Sequence, residues 1–193
     1  MKKLIVTLIF MLGSANLFAD SQCDTTNIAL KDKYESKLLK VEIKGSCTIT
    51  ADGDLEKLKA FLISNMIDAP EVREVHSVDN TDTYTEIDST IFISTSNGEL
   101  EARFLTRVGL ENDKLYSNKE SKVMIRATGN SKRLKKLTEV INVTKIVGGF
   151  KVDIASGTHI KLPKMFRSMA IKGIKKSFPE MLKGISQEIA DNL

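Results

Sequence analysis

From Glu71 to Leu162 the chain repeats one pattern: alternating apolar and polar residues, broken by short turn-forming stretches, with no helical periodicity between them. "ELEARFLTRV" (99–108) is the clearest instance. Leu100, Ala102, Phe104 and Val108 fall on one side, and Glu99, Glu101, Arg103 and Arg107 on the other. Such alternation belongs to a strand with one wet face. The segments 71–78, 84–94, 115–128, 136–147 and 150–162 read the same way, giving about six strands in succession. Asn97-Gly98 is the strongest hairpin signal, and Gly148-Gly149 turns the chain again. Strands joined by short turns make an antiparallel meander. A sheet of this extent twists and curls, and its apolar face needs cover.

Two other segments carry helical spacing. "KVEIKGSCTIT" (40–50) is a first strand with Val41, Ile43 and Gly45 on one face. After it, Asp52 or Asp54 can cap a helix in which Leu55, Leu58, Phe61, Leu62 and Met66 share a stripe. Pro70 ends that helix, because it disfavours helical geometry in the residue before it. Residues 20–37 are polar and read as irregular, with a short helix around 27–39. Pro163 opens the closing segment, a tolerated place for proline. About 30 residues at about 1.5 Å each give a helix of about 45 Å, the one element long enough to cross the sheet. The expected architecture is α+β. A curled antiparallel sheet of about seven strands grips a long C-terminal α-helix, with short helices after the first strand, in one domain over 38–193.

The first 19 residues stand apart from this domain. "MKKLIVTLIFMLGSANLFA" has two lysines, an apolar run from Leu4 to Leu12, and small residues ending at Ala19. This is the three-part pattern of a secretory signal peptide, too short in its apolar run to span a bilayer. Loss of Lys2 and Lys3 takes the formal net charge from +4 to +2. So weak a basic excess argues against a nucleic-acid partner. The reading is a periplasmic or secreted protein. Its two cysteines, Cys23 and Cys47, are expected to pair in that setting, tying the 20–37 segment to the first strand. Two cysteines with two distant histidines do not make a metal site, and no cofactor motif is present.

The element order and patterning, "KVEIKGSCTIT" into "DLEKLKAFLISNMIDAPEV", then "VREVHSV", the hairpins through "FKVDIASGTHIKL", and the closing helix, resemble the START-like (SRPBCC) superfamily with its helix-grip fold. The resemblance covers roughly residues 38–192 and departs from the family in having no Trp. It implies an apolar cavity between sheet and helix. The implied partner is a lipid, a quinone or another apolar small molecule, held by a non-catalytic carrier or sensor. A cyclase or dehydratase on the same fold, or an envelope interaction protein with a filled core, are the alternatives.

Few residues suggest chemistry by themselves. His76 and His159 sit in strands, where a general base and a solvent-facing histidine look alike. The carboxylates between Glu71 and Asp88 read as a solvated face. Polar residues on apolar strand faces are more informative. Ser89 lies between Ile87 and Ile91, Thr106 between Phe104 and Val108, and Ser156 and Thr158 extend the face of Phe150, Val152 and Ile154. A cavity with a few orienting hydroxyls accepts such positions, as does hydrogen bonding to backbone or water. On the closing helix Phe166, Met169, Ala170, Gly173, Ile174, Met181, Ile185 and Ile189 form a drifting apolar band, with Pro179 expected to kink it. The cavity-lining candidates are therefore Ile87, Ser89, Ile91, Ala102, Phe104, Thr106, Val152, Ile154, Ser156, Phe166, Met169, Ala170, Gly173 and Met181. Lys132, Arg133, Lys135 and Lys136, together with the lysines of the closing helix, permit transient contact with a membrane surface.

Overall fold

A computed structural model describes residues 20–23, 27–95 and 98–193. The leader pattern over 1–19 and the turn residue Asn97 lie outside the described residues. In chain order the elements are β1 (Asp20–Cys23), β2 (Ala29–Glu35), β3 (Leu38–Thr50), α1 (Leu55–Asp68), β4 (Val72–Asn80), β5 (Tyr84–Thr95), β6 (Gly98–Glu111), β7 (Lys114–Ala127), β8 (Leu134–Ile146), β9 (Gly149–Lys161) and α2 (Arg167–Asp191).

Among the described residues all nine strands join one antiparallel sheet in the order β1-β3-β9-β8-β7-β6-β5-β4, with β2 also on β3. The meander from β4 to β9 is as the alternation predicts. The expected curled sheet is instead an open path with β4 at one end, and nine strands replace about seven. The two extra ones come from the segment read as irregular or helical. β2 pairs with the first half of β3 and β1 with the second half, both along the edge opposite β9. Ser36 and Lys37, with φ of +52° and +65°, turn β2 into β3. Asn112 and Asp113, at +50° and +57°, turn β6 into β7. Two consecutive residues at positive φ match the twist of the strands they join. Cys23 stands opposite Cys47 in the β1–β3 register, and the two form a disulfide with Cα atoms 4.0 Å apart.

The inward face of β3 buries Leu39, Val41, Ile43, Cys47 and Ile49. Gly45 interrupts this row where α2 comes down. A Cβ there would lie 2.9 Å from both Leu182 Cδ2 and Phe178 Cε1. The missing side chain thus makes the groove into which the helix packs. A single helix, α1, follows β3, rather than several short ones. Asp54 caps it, its side chain accepting from Glu56 N at 2.9 Å, and Ala69 is already extended ahead of Pro70. Leu55, Leu58, Leu62 and Met66 bury its inner stripe. A 3-10 turn over Lys164–Phe166 precedes α2, which continues as helix through Pro179. Ser177 Oγ donates to the carbonyls of Gly173 and Ile174 at 3.2 and 3.3 Å, one turn back. The end of α2 is tied to the start of α1, since Asp54 N donates to Leu193 O at 3.0 Å. Both helices cover the same apolar sheet face.

Candidate functional site

The inward positions of β7 are Leu115, Ser117, Lys119 and Ser121, and those of β8 are Leu137, Glu139, Ile141 and Val143. Period two therefore sends a lysine and a glutamate into the core. They are direct partners in the register. Thr106 of β6 sits beside Lys119, and Ser156 of β9 sits beside Glu139. Four consecutive strands thus contribute one polar rung, Thr106–Lys119–Glu139–Ser156, across an otherwise apolar face. All four residues are buried; Lys119 is 4% and Glu139 6% exposed.

β7 and β8 part company just beyond this rung. Their pairing ends at Glu120 and Thr138, and Ser121 Oγ accepts from Leu137 N at 2.8 Å, replacing the lost ladder bond. The Lys119 ammonium lies 5.0 Å from the centre of the Phe104 ring, a contact that offsets part of its desolvation. Burial nevertheless pulls the ammonium down to about 8, while the charges of Glu139 and Glu71 act the other way. Burial likewise raises the Glu139 carboxyl, with Lys119 opposing. Glu139 Oε2 has no hydrogen-bond partner among the described residues, nor do the buried hydroxyls of Ser89, Thr106, Thr158 and Ser186. Unsatisfied buried acceptors are costly.

The Lys119–Glu139 centre of the rung opens into a cavity of about 80 Å³. Phe61, Leu62, Asn65 and Met66 of α1 form one wall, and Ile185, Glu188 and Ile189 of α2 another. The sheet supplies Ile91, Ile93 and Ile141, and Ala69, Glu71 and Val72 stand where α1 passes into β4. A water needs roughly 10–15 Å³ of such space, so the cavity admits a short chain or small ring and not a whole two-chain lipid. Asn65 Nδ2 donates to Glu188 Oε1 at 3.2 Å, bridging the helices beside the cavity. Burial first, then the charges of Glu139 and Asp191, push the Glu188 carboxyl up to about 7.

Of the fourteen cavity-lining candidates read from the sequence, Ile91 lines this cavity. Ile87, Ser89, Ala102, Phe104, Thr106, Val152, Ile154 and Ser156 are buried on the same sheet face. Thr106 and Ser156 flank the charged pair, and Phe104 lies beneath Lys119. Phe166, in the 3-10 turn, is half-buried; on α2 Ala170 is buried in the core, Gly173 and Met181 are half-buried, and Met169 is 45% exposed. All of these precede the turn of α2 that walls the cavity. The sequence reading missed Lys119, Glu139, Phe61, Asn65 and Glu188 as site residues. The alternations Leu115-x-Ser117-x-Lys119-x-Ser121 and Leu137-x-Glu139-x-Ile141-x-Val143 held the signal for the first two. Neither histidine lines the cavity. His76 Nε2 bonds Thr90 Oγ1 at 2.8 Å. His159 stands between Lys40 and Lys136, and burial and those lysines lower its pKa. Among the described residues no group of three or more His, Cys, Asp or Glu is placed to hold a metal ion, and no helix is long and apolar enough to cross a membrane.

A long C-terminal helix lies across the apolar face of an antiparallel sheet, with a cavity between them. The arrangement is a helix-grip fold. Among solved structures the chain is similar to human STARD10, at 10% identity over 83% of this chain and 72% of that one, TM-score 0.49. It is also similar to the STAR-related lipid transfer protein from Xanthomonas axonopodis, at 11% identity over 81% and 98% of the two chains, TM-score 0.42. The Zhui aromatase/cyclase from Streptomyces sp. R1128 follows at 10% identity over 78% and 93%, TM-score 0.44. No protein-family model matches the chain, and no curated protein sequence does.

Proposed function

We propose that this protein holds a lipid, quinone or other apolar small molecule in the cavity between α1, the end of α2 and the sheet, as a carrier or sensor. One observation carries the reading: an apolar cavity whose floor presents a buried, incompletely satisfied polar rung. The walls supply apolar area, at about 25 cal/mol per Å² of surface removed from water. Lys119 and Glu139 orient the polar end. A ligand larger than the present cavity needs α1 and the end of α2 to separate, which breaks the Asn65–Glu188 bond. The disulfide and the leader pattern support work in the periplasm or outside the cell.

Displacement of a fluorescent apolar probe, with mass spectrometry of ligand extracted from the purified protein, tests this reading. Probe binding by the parent protein, lost in Ile91→Trp, is the expected result. Absence of any apolar ligand or probe uptake refutes it. A second reading has its own support, because a carboxylate and an amine facing one cavity are what acid–base chemistry on a bound molecule requires. Recovery of the bound ligand chemically changed after incubation would establish that reading.

The basic residues bear on delivery. In the register Lys136 faces His159 and Leu38 faces Lys161, so the 132–136 cluster and Lys161–Lys164 share one end of the sheet. Met165 stands there 80% exposed. This end is suited to transient contact with an anionic lipid surface.

A further inference from the structure

The residues lining the cavity include three carboxylates, Glu71, Glu139 and Glu188, against one ammonium, Lys119. Lys119 is matched by Glu139, its partner across β7 and β8. Glu188 has a neutral amide, Asn65, as its hydrogen-bond donor, and Asp191 adds a further negative charge on the same helix. Glu139 Oε2, in a residue 6% exposed, has no hydrogen-bond partner among the described residues. The cavity is therefore short of at least one cation and of at least one donor. Its apolar walls include Phe61, Ile91, Ile93 and Ile185.

We infer that the ligand is an apolar amine, bound with its protonated nitrogen between Glu139 and Glu188 and its hydrocarbon against these walls. The inference rests on the proposed ligand-binding function and names the ligand's chemistry. An acid would bring a further carboxylate into a site already crowded with them. An alcohol would satisfy the unmet acceptor and leave the charge uncompensated. A protonated amine supplies both, in the charge-assisted hydrogen bonds that are the strong ones.

The charged groups around Glu139 set a pH dependence. Lys119 faces it from β7 and Glu188 from α2, while Ser156 of β9 is neutral; Asp191 acts on Glu188 from the same helix, and Glu71, just before β4, acts on Lys119. Glu188 ionises as pH rises through about 7, whereas an alkylamine, like a lysine, stays protonated to about 10. Amine affinity therefore rises between pH 6 and 8, and alcohol affinity has no such cause to change.

Probe displacement by 1-octylamine, 1-octanol and octanoic acid, each at pH 6 and 8, is the test on the full-length protein. Octylamine is expected to bind about tenfold tighter than octanol at pH 8, the effect of one charge-assisted bond, and octanoic acid weakest. The amine-over-alcohol ratio should shrink at pH 6, and shrink again in Glu139→Gln and Glu188→Gln. The ratio is internal to each protein, so a loss of stability in either variant does not imitate the effect. If a variant fails to fold, the ratio and its pH dependence in the parent protein decide. An amine that gains nothing over the alcohol, or an acid that binds as well as the amine, overturns this inference alone. If none of the three displaces a bound probe, this inference falls; if the probe itself does not bind, the proposed function falls with it.

Discussion

Lys119→Met removes the ammonium from the rung and keeps an unbranched apolar stem against Phe104. Burial holds that ammonium at about 8 against an ordinary 10.5. Between those values the unfolded chain carries a proton that the folded chain has released. Stability therefore rises with pH across this window and carries the full burial cost below about 8. The gap of 2.5 pH units, at about 1.36 kcal/mol each, makes the total rise about 3 kcal/mol. In Lys119→Met the rise is absent. Urea unfolding of both proteins at intervals from pH 7.5 to 10.5 measures it, because titrating groups that do not face Lys119 are shared and cancel in the difference. With no free cysteine among the described residues, these alkaline conditions start no thiol exchange there. Below the window the variant behaves oppositely. Glu139 has lost its neighbouring cation, its carboxyl is raised, and the folded chain keeps a proton the unfolded chain gives up, so stability falls as pH rises from about 4.5. A parent–variant difference constant to within about 0.5 kcal/mol from pH 7.5 to 10.5, no larger than an ordinary surface effect, refutes a charged Lys119 held in a dry core.

Three further outcomes can be checked separately. Reduction of Cys23–Cys47, or the double change Cys23→Ser with Cys47→Ser, lowers stability by about 3 kcal/mol for a loop of this size, read as a drop in thermal midpoint. Leu182→Ala empties a fully buried position above Gly45 and costs about 2–5 kcal/mol in chemical unfolding; a cost below about 1 kcal/mol would mean that α2 is not docked there. In vesicle sedimentation, binding is expected with anionic lipid and not with neutral lipid, and Lys132→Glu with Lys135→Glu weakens it; equal binding to both vesicle types removes the membrane-contact proposal.

The strands from β4 to β9 were legible because one face is wet and the other dry, so composition alternates with the pleat. β2 was not. Leu30 and Tyr34 are four residues apart, a spacing in phase with both a helix and a strand. The residue that would have broken the tie, Asp32, is inward-facing and polar because its carboxylate accepts from Arg167 Nε at 2.9 Å. No local pattern anticipates a partner 135 residues away. Lys119 and Glu139 escaped notice for a related reason. Each occupies an inward position in a clear alternation, but a charged residue is ordinarily a mark of the outer face. Under the middle of α2, Gly45 lets Phe178 and Leu182 fill the space above β3. The cavity described above lies beyond them, under α1 and the end of α2.

The place of β3 in the sheet has a consequence for how the chain is made. Its long free edge is completed by β9, where Leu38 meets Lys161 and Ile49 meets Phe150, roughly a hundred residues downstream. Pairing over such separations is slow, because the intervening chain must be closed into a loop first. Until β9 is synthesised, β3 has β1 and β2 on one side and an unpaired apolar strand edge on the other, the kind of surface that invites association between chains. A polypeptide with this order of strands gains by being kept unfolded until its last third is available.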